Sequence, residues 1–343
     1  MASTSTGTRA ALIALLAGSV GVATYTAVSD SPAFFGNGGN GSAATAPATP
    51  GGDGSSNGVQ PVAPFTTADA GSCLTWQVGP DGALSGFEQT ACENEHRFEV
   101  STREDLGTFP SSEFGPDAQP PNQTRQAQLR EELCGSATLR YMNGVLDPNG
   151  RYSVASILPP ADAWARGDRT MLCGLQVTDA SGAPTLTTGA AATQDQARTM
   201  AVGECAAVDS ANSITVVDCA DPHQLEFTKK VSLNEVFPGR TPSVEEQDMH
   251  LGDVCTAAAH DYLGGEENLY QLSLQPFWTA LSAASWEGGS RSVNCALVFS
   301  NDGSFATLTG SATEGRGGLL IDGNPPPERP ERLPLREDLE PAP

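Results

Sequence analysis

The sequence predicts an α+β fold: two tandem repeats, each an antiparallel sheet with one packed helix and two disulfides, behind an N-terminal transmembrane helix. Three observations predict it. Cysteines at 73, 92, 134 and 173 are answered by cysteines at 205, 219, 255 and 295. Four short motifs around them recur in the same order. Gly71-Ser72-Cys73 matches Gly203-Glu204-Cys205, C-x3-H-x2-E starts at Cys92 and at Cys219, and C-x6-Y joins Cys134 to Tyr141 and Cys255 to Tyr262. The fourth, W-x2-G-x-R-x3-C, runs from Trp164 to Cys173 and from Trp286 to Cys295. Self-similarity of this kind marks a repeat architecture. Between the motifs, strand-like runs alternate with one helical stretch per repeat.

Taken in order, residues 1–9 form a short start ending in Arg9, and 10–28 run without a charge to Asp30. That length is close to the roughly 20 residues a helix needs to span a bilayer. The N-terminal basic flank keeps residues 1–9 cytoplasmic and exports everything after Val28. The expected location is the cell membrane, single-pass, with the C-terminal domains extracytoplasmic. An apolar run this long favours an uncleaved anchor, with a cleaved leader at Ala27-Val28-Ser29 as the alternative. Residues 29–65 are mostly Gly, Ser, Ala, Pro, Thr and Asn, which reads as a disordered flexible linker.

The two units are expected at 66–192 and 197–313, each large enough for its own core. In the second, Ser213–Cys219 reads as a strand by β-branched content, Ala220-Asp221-Pro222 as a turn, and His223–Leu233 as a returning strand. Thr241-Pro242-Ser243 with Glu245 and Glu246 opens a helix. Leu251, Val254, Cys255, Ala258, Ala259 and Tyr262 follow helical spacing, and Gly264 stops it. Strands are expected near Tyr270–Leu274 and over Ser292–Phe299, then a turn at Asn301-Asp302-Gly303 and a strand at Phe305–Thr309. The first unit follows suit with a helix over Thr124–Met142, a strand around Tyr152–Leu158 and a hairpin over Met171–Thr188. Residues 314–343, Pro- and charge-rich, read as a disordered tail, with Pro325–Pro327 a candidate docking segment.

An exported chain with an even cysteine count per unit favours disulfides over thiols. Four cysteines allow three pairings. The favoured one pairs Cys73 with Cys92 and Cys205 with Cys219, which would join adjacent strands, and leaves Cys134 with Cys173 and Cys255 with Cys295. The latter two would tie the inward face of each helix to its sheet. Each bridge stabilises by about 2–4 kcal/mol.

The formal charge is -23, with 18 Lys and Arg against 41 Asp and Glu. Nucleic acid, whose binding rests on clustered cations, is therefore excluded as an expected partner. Partners are expected instead to be the cytoplasmic membrane, through the N-terminal helix, and envelope or division proteins.

G-x-C, C-x3-H-x2-E, C-x6-Y and W-x2-G-x-R-x3-C together resemble the septum-formation domain family of actinobacterial envelope proteins, in two tandem copies over 66–313. In that family a C-x-x-P-H-x-x-E strand start and a late Trp-Gly-Arg-Cys stretch recur, often behind one membrane helix. The second copy keeps the proline in Cys219-Ala220-Asp221-Pro222-His223, whereas the first has Glu95 before His96. The resemblance implies a place at the division septum and carries over no catalytic residue.

Cys, His and Glu in one motif raise the possibility of a metal site, but zinc needs three or four convergent ligands and each unit offers one motif histidine. If the segment is a strand, His223 and Glu226 lie on opposite faces. An oxidised cysteine offers no thiolate. The string Gly54-Ser55-Ser56-Asn57-Gly58 fits G-x-S-x-G but lies in the linker, so no nucleophile elbow between a strand and a helix is expected. We therefore expect no metal, no cofactor and no catalytic residue. His250 and His260, without first-unit counterparts, read as ordinary helix residues. His96 and His223 read as strand-start side chains satisfying the preceding turn, with partner binding as the alternative. Trp164 with Arg169 and Trp286 with Arg291 read as buried packing or, if exposed, as stacking surfaces for a partner. The expected function is a membrane-anchored, extracytoplasmic, non-enzymatic binding or adaptor protein of the cell envelope. A ligand-binding sensor with a pocket between the units is the alternative, and an envelope enzyme or metalloprotein ranks below both.

Overall fold

The computed structural model describes residues 67–332, apart from 81, 83, 110–111, 180–181, 211 and 302, together with the two-residue strand β1 (Tyr25–Thr26). The rest of the expected start, membrane helix and linker lies outside the described residues. Among the described residues no helix is long and apolar enough to cross a membrane.

The first unit runs β2 (Cys73–Val78), β3 (Leu84–Thr90), β4 (Phe98–Asp105), helices α1 (Gln123–Leu129) and α2 (Gly135–Tyr141), β5 (Tyr152–Leu158), α3 (Ala161–Ala165) and β6 (Thr170–Val177). A π-helical turn, Arg130–Cys134, joins α1 to α2 in one helical path across the stretch expected as a single helix. The second unit runs β7 (Cys205–Val208), β8 (Ile214–Val217), β9 (Leu225–Ser232), α4 (Val244–Leu263), α5 (Glu266–Leu272), β10 (Gln275–Trp278), α6 (Ala283–Glu287) and β11 (Ser292–Val298). Short strands β12 (Ser300–Asn301), β13 (Ser304–Phe305), β14 (Leu308–Thr309) and β15 (Leu320–Ile321) follow. The sheet orders are β1-β5-β6-β4-β2-β3 and β10-β11-β9-β7-β8. Strand for strand they follow the same antiparallel order, with β1 adding a parallel edge pairing to the first unit.

Local chemistry explains α4. Ser243 caps it, accepting from the Glu246 N–H while the Glu246 carboxylate accepts from the Ser243 N–H, and Gly264 ends it at φ +76. Its buried stripe of Leu251, Cys255 and Ala258 packs on Val231, Val293, Cys295 and Trp286. In the first unit Leu129 and Cys134 meet Leu158, Met171, Cys173 and Trp164 in the same way. Each fully buried leucine of this kind contributes about 1.5–3 kcal/mol. A second cluster, Leu74, Phe98, Val100 and Leu172, includes Ala68 from the segment leading into the first sheet.

The four disulfides are those expected: Cys73–Cys92, Cys134–Cys173, Cys205–Cys219 and Cys255–Cys295. Three expectations need correction. Tyr270–Leu274 is not a strand, because Leu269 and Leu272 bury at helical spacing and draw 266–272 into α5, and the strand begins at Gln275. Among the described residues the expected hairpin over 171–188 has no second strand; β6 pairs with β4 and β5, and the return makes the bridges Thr178–Pro184 and His96–Thr187. The expected disordered tail begins inside the fold. Buried Leu319 and Ile321 carry β15 onto β14, and Arg329 and Arg332 lie over the Tyr270 ring at 5.0 and 4.2 Å. Its apolar residues are few but adjacent in sequence, so they suffice for one strand.

Candidate functional site

Each C-x3-H-x2-E motif forms a buried corner closed by the end of its own unit. His96 exchanges both backbone hydrogen bonds with Thr187, at 2.9 and 2.8 Å, and His223 does so with Leu308, at 3.0 and 2.7 Å. Both imidazoles are buried. The Nδ1 atoms lie 2.9 Å from the Asn94 and Asp221 carbonyl oxygens, so each Nδ1 carries the proton and donates it to the preceding turn. The structural reading of the histidines accounts for this side of each ring.

The glutamates are the hubs of the corners. Glu99, 2% exposed, accepts from the Tyr141 hydroxyl and the Ala191 N–H, both at 2.7 Å. Glu226, fully buried, accepts from the Tyr262 and Ser311 hydroxyls and the Ala312 N–H, each at 2.7 Å. Thus the C-x6-Y motif exists to bring a helix-end phenol onto the glutamate. Burial, and then the hydrogen bond to the carboxylate, hold the Tyr141 and Tyr262 phenols well above the ordinary phenol range.

The strap that closes each corner is a fifth repeated element, missed in reading the sequence: Thr188-Gly189-Ala190-Ala191 and Thr309-Gly310-Ser311-Ala312. The Gly189 and Gly310 N–H groups donate to the Cys92 and Cys219 carbonyls, at 2.6 and 2.7 Å. Gly310 has φ +84, and a Cβ there would meet the Gly318 oxygen at 2.1 Å, so only glycine fits. T-G-x-A after the last cysteine was the available signal.

His223 and Glu226 are not on opposite faces. The strand starts at Leu225, and the bend at Gln224 brings a His223 ring nitrogen, the Cys205 sulfur and a Glu226 oxygen within 4.8 Å of one another. The equivalent group in the first unit is Cys73, Cys92 and Glu99, without His96. In both, the sulfurs are bonded into disulfides and supply no thiolate.

The tryptophan–arginine pairs belong to the other disulfides' clusters, Trp164 with Cys134–Cys173 and Trp286 with Cys255–Cys295. The Arg169 guanidinium lies 4.2 Å over the Trp164 ring and donates to the carbonyls of Phe114, Gly115 and Pro116, while Trp164 Nε1 donates to Ala118. The pair is internal packing. Arg291 lies 4.5 Å over Trp286, donates to the Trp286 and Ser290 carbonyls, and is only partly buried.

Arg291 stands where the two units meet. Its backbone N–H donates to Asp195 Oδ1 at 2.8 Å, and Ser290 Oγ donates to Asp147 Oδ2. The Asp147 N–H donates to Gln196 Oε1, and Gln196 Nε2 to the Val145 carbonyl, both at 2.9 Å. Asp147, Gln196 and Ser290 are buried, so this part of the junction is filled with satisfied polar groups. Two shallow grooves lie elsewhere. One, of about 350 Å³, is lined by Glu95, Arg151, Leu186, Thr187, Thr188 and Gln194, and the other, of about 210 Å³, lies around Tyr270, His260 and Arg329.

Geometry of this kind defines a disulfide-stapled double module whose polar corners hold the fold together. The family model described as septum formation matches residues 70–295, one span through both units, and the chain belongs to that family. The resemblance drawn from the motifs is borne out. Curated relatives include an uncharacterized membrane protein of Mycobacterium tuberculosis in strains H37Rv and CDC 1551, each 34% identical over 293 residues. That alignment takes in 84% of this chain and 64% of the relatives' length, so the chain spans less than two thirds of the proteins it matches. No solved structure matches. Among the described residues, the sulfurs of both ligand-like groups are already joined in disulfides.

Proposed function

We propose that the protein is a membrane-anchored, extracytoplasmic adaptor of the cell envelope that acts in septum formation. The observation that carries this reading is how the repeated polar residues are used. The Glu99 and Glu226 carboxylates, the Nδ1 atoms of His96 and His223, and the Trp164–Arg169 pair are all engaged with the protein's own groups. A module that spends its polar chemistry on rigidity presents surfaces for binding. Family membership supports the septal role, and the relatives' description as membrane proteins supports the anchor assigned to residues 10–28. The domains 66–192 and 197–313 would then stand outside the membrane on the 29–65 linker. Arg291, partly exposed over the buried Trp286 ring, is the candidate contact for a protein partner. His96 and His223, being buried, act in that binding only by holding the corners.

A fluorescent fusion followed through the division cycle, with crosslinking capture of its neighbours, tests the proposal. The expected result is enrichment at the septum and recovery of division proteins. Uniform peripheral signal with no division defect on deletion would overturn it.

A further inference from the structure

The corner of the second unit carries something its twin lacks. His223 is fully buried, its Nδ1 proton is committed to the Asp221 carbonyl, and its Nε2 has no hydrogen-bond partner. A buried nitrogen lone pair left unmatched is destabilising, and such a group calls for an explanation. An imidazole whose Nδ1–H is fixed by a carbonyl, leaving Nε2 bare, is the arrangement adopted by metal-ligating histidines. The Cys205 sulfur and a Glu226 oxygen lie within 4.8 Å of the histidine donor and of one another. A carboxylate offers about four lone-pair sites. Glu226 uses three, on Tyr262, Ser311 and Ala312, which leaves one and holds the group in place. Cys219, bonded to Cys205, is partly exposed, so an external thiol reaches the disulfide from that side while Cys205 stays buried.

We propose that reduction of Cys205–Cys219 converts this corner into a zinc site with the Cys205 and Cys219 thiolates, His223 Nε2 and the Glu226 carboxylate as ligands. An external dithiol supplies two electrons and two protons, closes to its own disulfide and leaves two cysteine thiols. Zn²⁺ then displaces both thiol protons to solvent. Two sulfurs, an imidazole and a carboxylate form a borderline-soft, four-donor set of the kind zinc takes. The first unit is an internal control. Its group has two cysteines and Glu99 but lacks His96, so opening Cys73–Cys92 creates no equivalent site.

The test uses the full chain, treated with limiting dithiothreitol, desalted without air, and loaded with Zn²⁺ or Co²⁺. Peptide mapping after alkylation identifies the opened bonds. Reduced wild type is expected to retain one zinc at the second-unit corner, and cobalt to show sulfur-to-metal charge-transfer absorption. His223→Gln should weaken retention by at least about tenfold, while His96→Gln leaves it unchanged. Cys219→Ser, which frees Cys205 without any reductant, should bind zinc, whereas Cys92→Ser should not. The proposal is overturned if folded wild type with Cys205–Cys219 open retains no zinc, if His223→Gln binds as well as wild type, or if Cys92→Ser binds zinc as well as Cys219→Ser.

Discussion

Glu99 and Glu226 are buried carboxylates whose recorded partners are neutral donors rather than cations, and the number of donors differs. Glu99 has a phenol and one N–H, while Glu226 has a phenol, a serine hydroxyl and one N–H. A hydrogen bond to a charged group is worth about 1.5–3 kcal/mol. Tyr141→Phe is therefore expected to cost about that much, and Tyr262→Phe less, because Ser311 still serves Glu226. Denaturant midpoints of the two variants give the order, and an equal or reversed order would count against the hub reading. The same phenols set an alkaline limit. Their folded pKa values are raised, so their contribution to stability is complete below the unfolded phenol pKa near 10 and is lost as pH rises beyond it. Of the five tyrosines, absorbance titration should find two that ionise only above the ordinary phenol range. If all five ionise together near pH 10, the shared Tyr–Glu contact is wrong.

At the scale of elements, Gly174 on β6 is the tightest point of the first sheet. A Cβ there would meet the Glu99 backbone carbonyl oxygen at 2.1 Å and the Phe98 ring at 2.5 Å. The second unit carries Ala296 after its cysteine and Leu225 in place of Phe98. Gly174→Ala is expected to destabilise by about 1–3 kcal/mol through overpacking, read as a drop in unfolding midpoint, with unchanged stability as the refuting result. The cap and stop of α4 were legible because Ser243, Glu246 and Gly264 act within one turn of their own backbone. The disulfide pairing was legible because repeated spacing constrains it twice. The stretch from Tyr270 to Leu274 was not, since its apolar residues satisfy both a strand and a helix, and only packing of Leu269 and Leu272 against α4 decides. The meeting of His223 with Glu226 was hidden because alternation holds only inside a strand, and the bend at Gln224 lies just before it. The straps at 188–191 and 309–312 are hard to read because most of their work is done by backbone N–H groups, with Ser311 Oγ adding a side-chain donor in the second unit alone.

The whole molecule depends on how the two units are joined. Nothing in either repeat alone predicts the joint, because Asp147, Gln196 and Ser290 come from three separate places in the chain, and the first unit has Asp168 where the second has Ser290. Their hydrogen bonds are buried, so breaking the contact exposes polar groups that water can satisfy. Close approach is what maintains it. Gly288 lies against Asp147 so tightly that a Cβ would sit 2.6 Å from its Cα and 2.9 Å from its nitrogen. Both contacts are backbone, which cannot rotate aside. Gly288→Ala is therefore expected to open the junction while each unit keeps its own core and both of its disulfides. Calorimetry should show one cooperative transition in the wild type resolved into two in the variant. Gly135→Ala, at a helical glycine whose added Cβ meets nothing within 4 Å, should retain the single transition. If Gly288→Ala also unfolds in one step at the wild-type temperature, the units are held together by something other than this junction. If it does uncouple them, comparing its septal enrichment with wild type then separates an adaptor that needs both units in fixed register from one in which a single unit suffices.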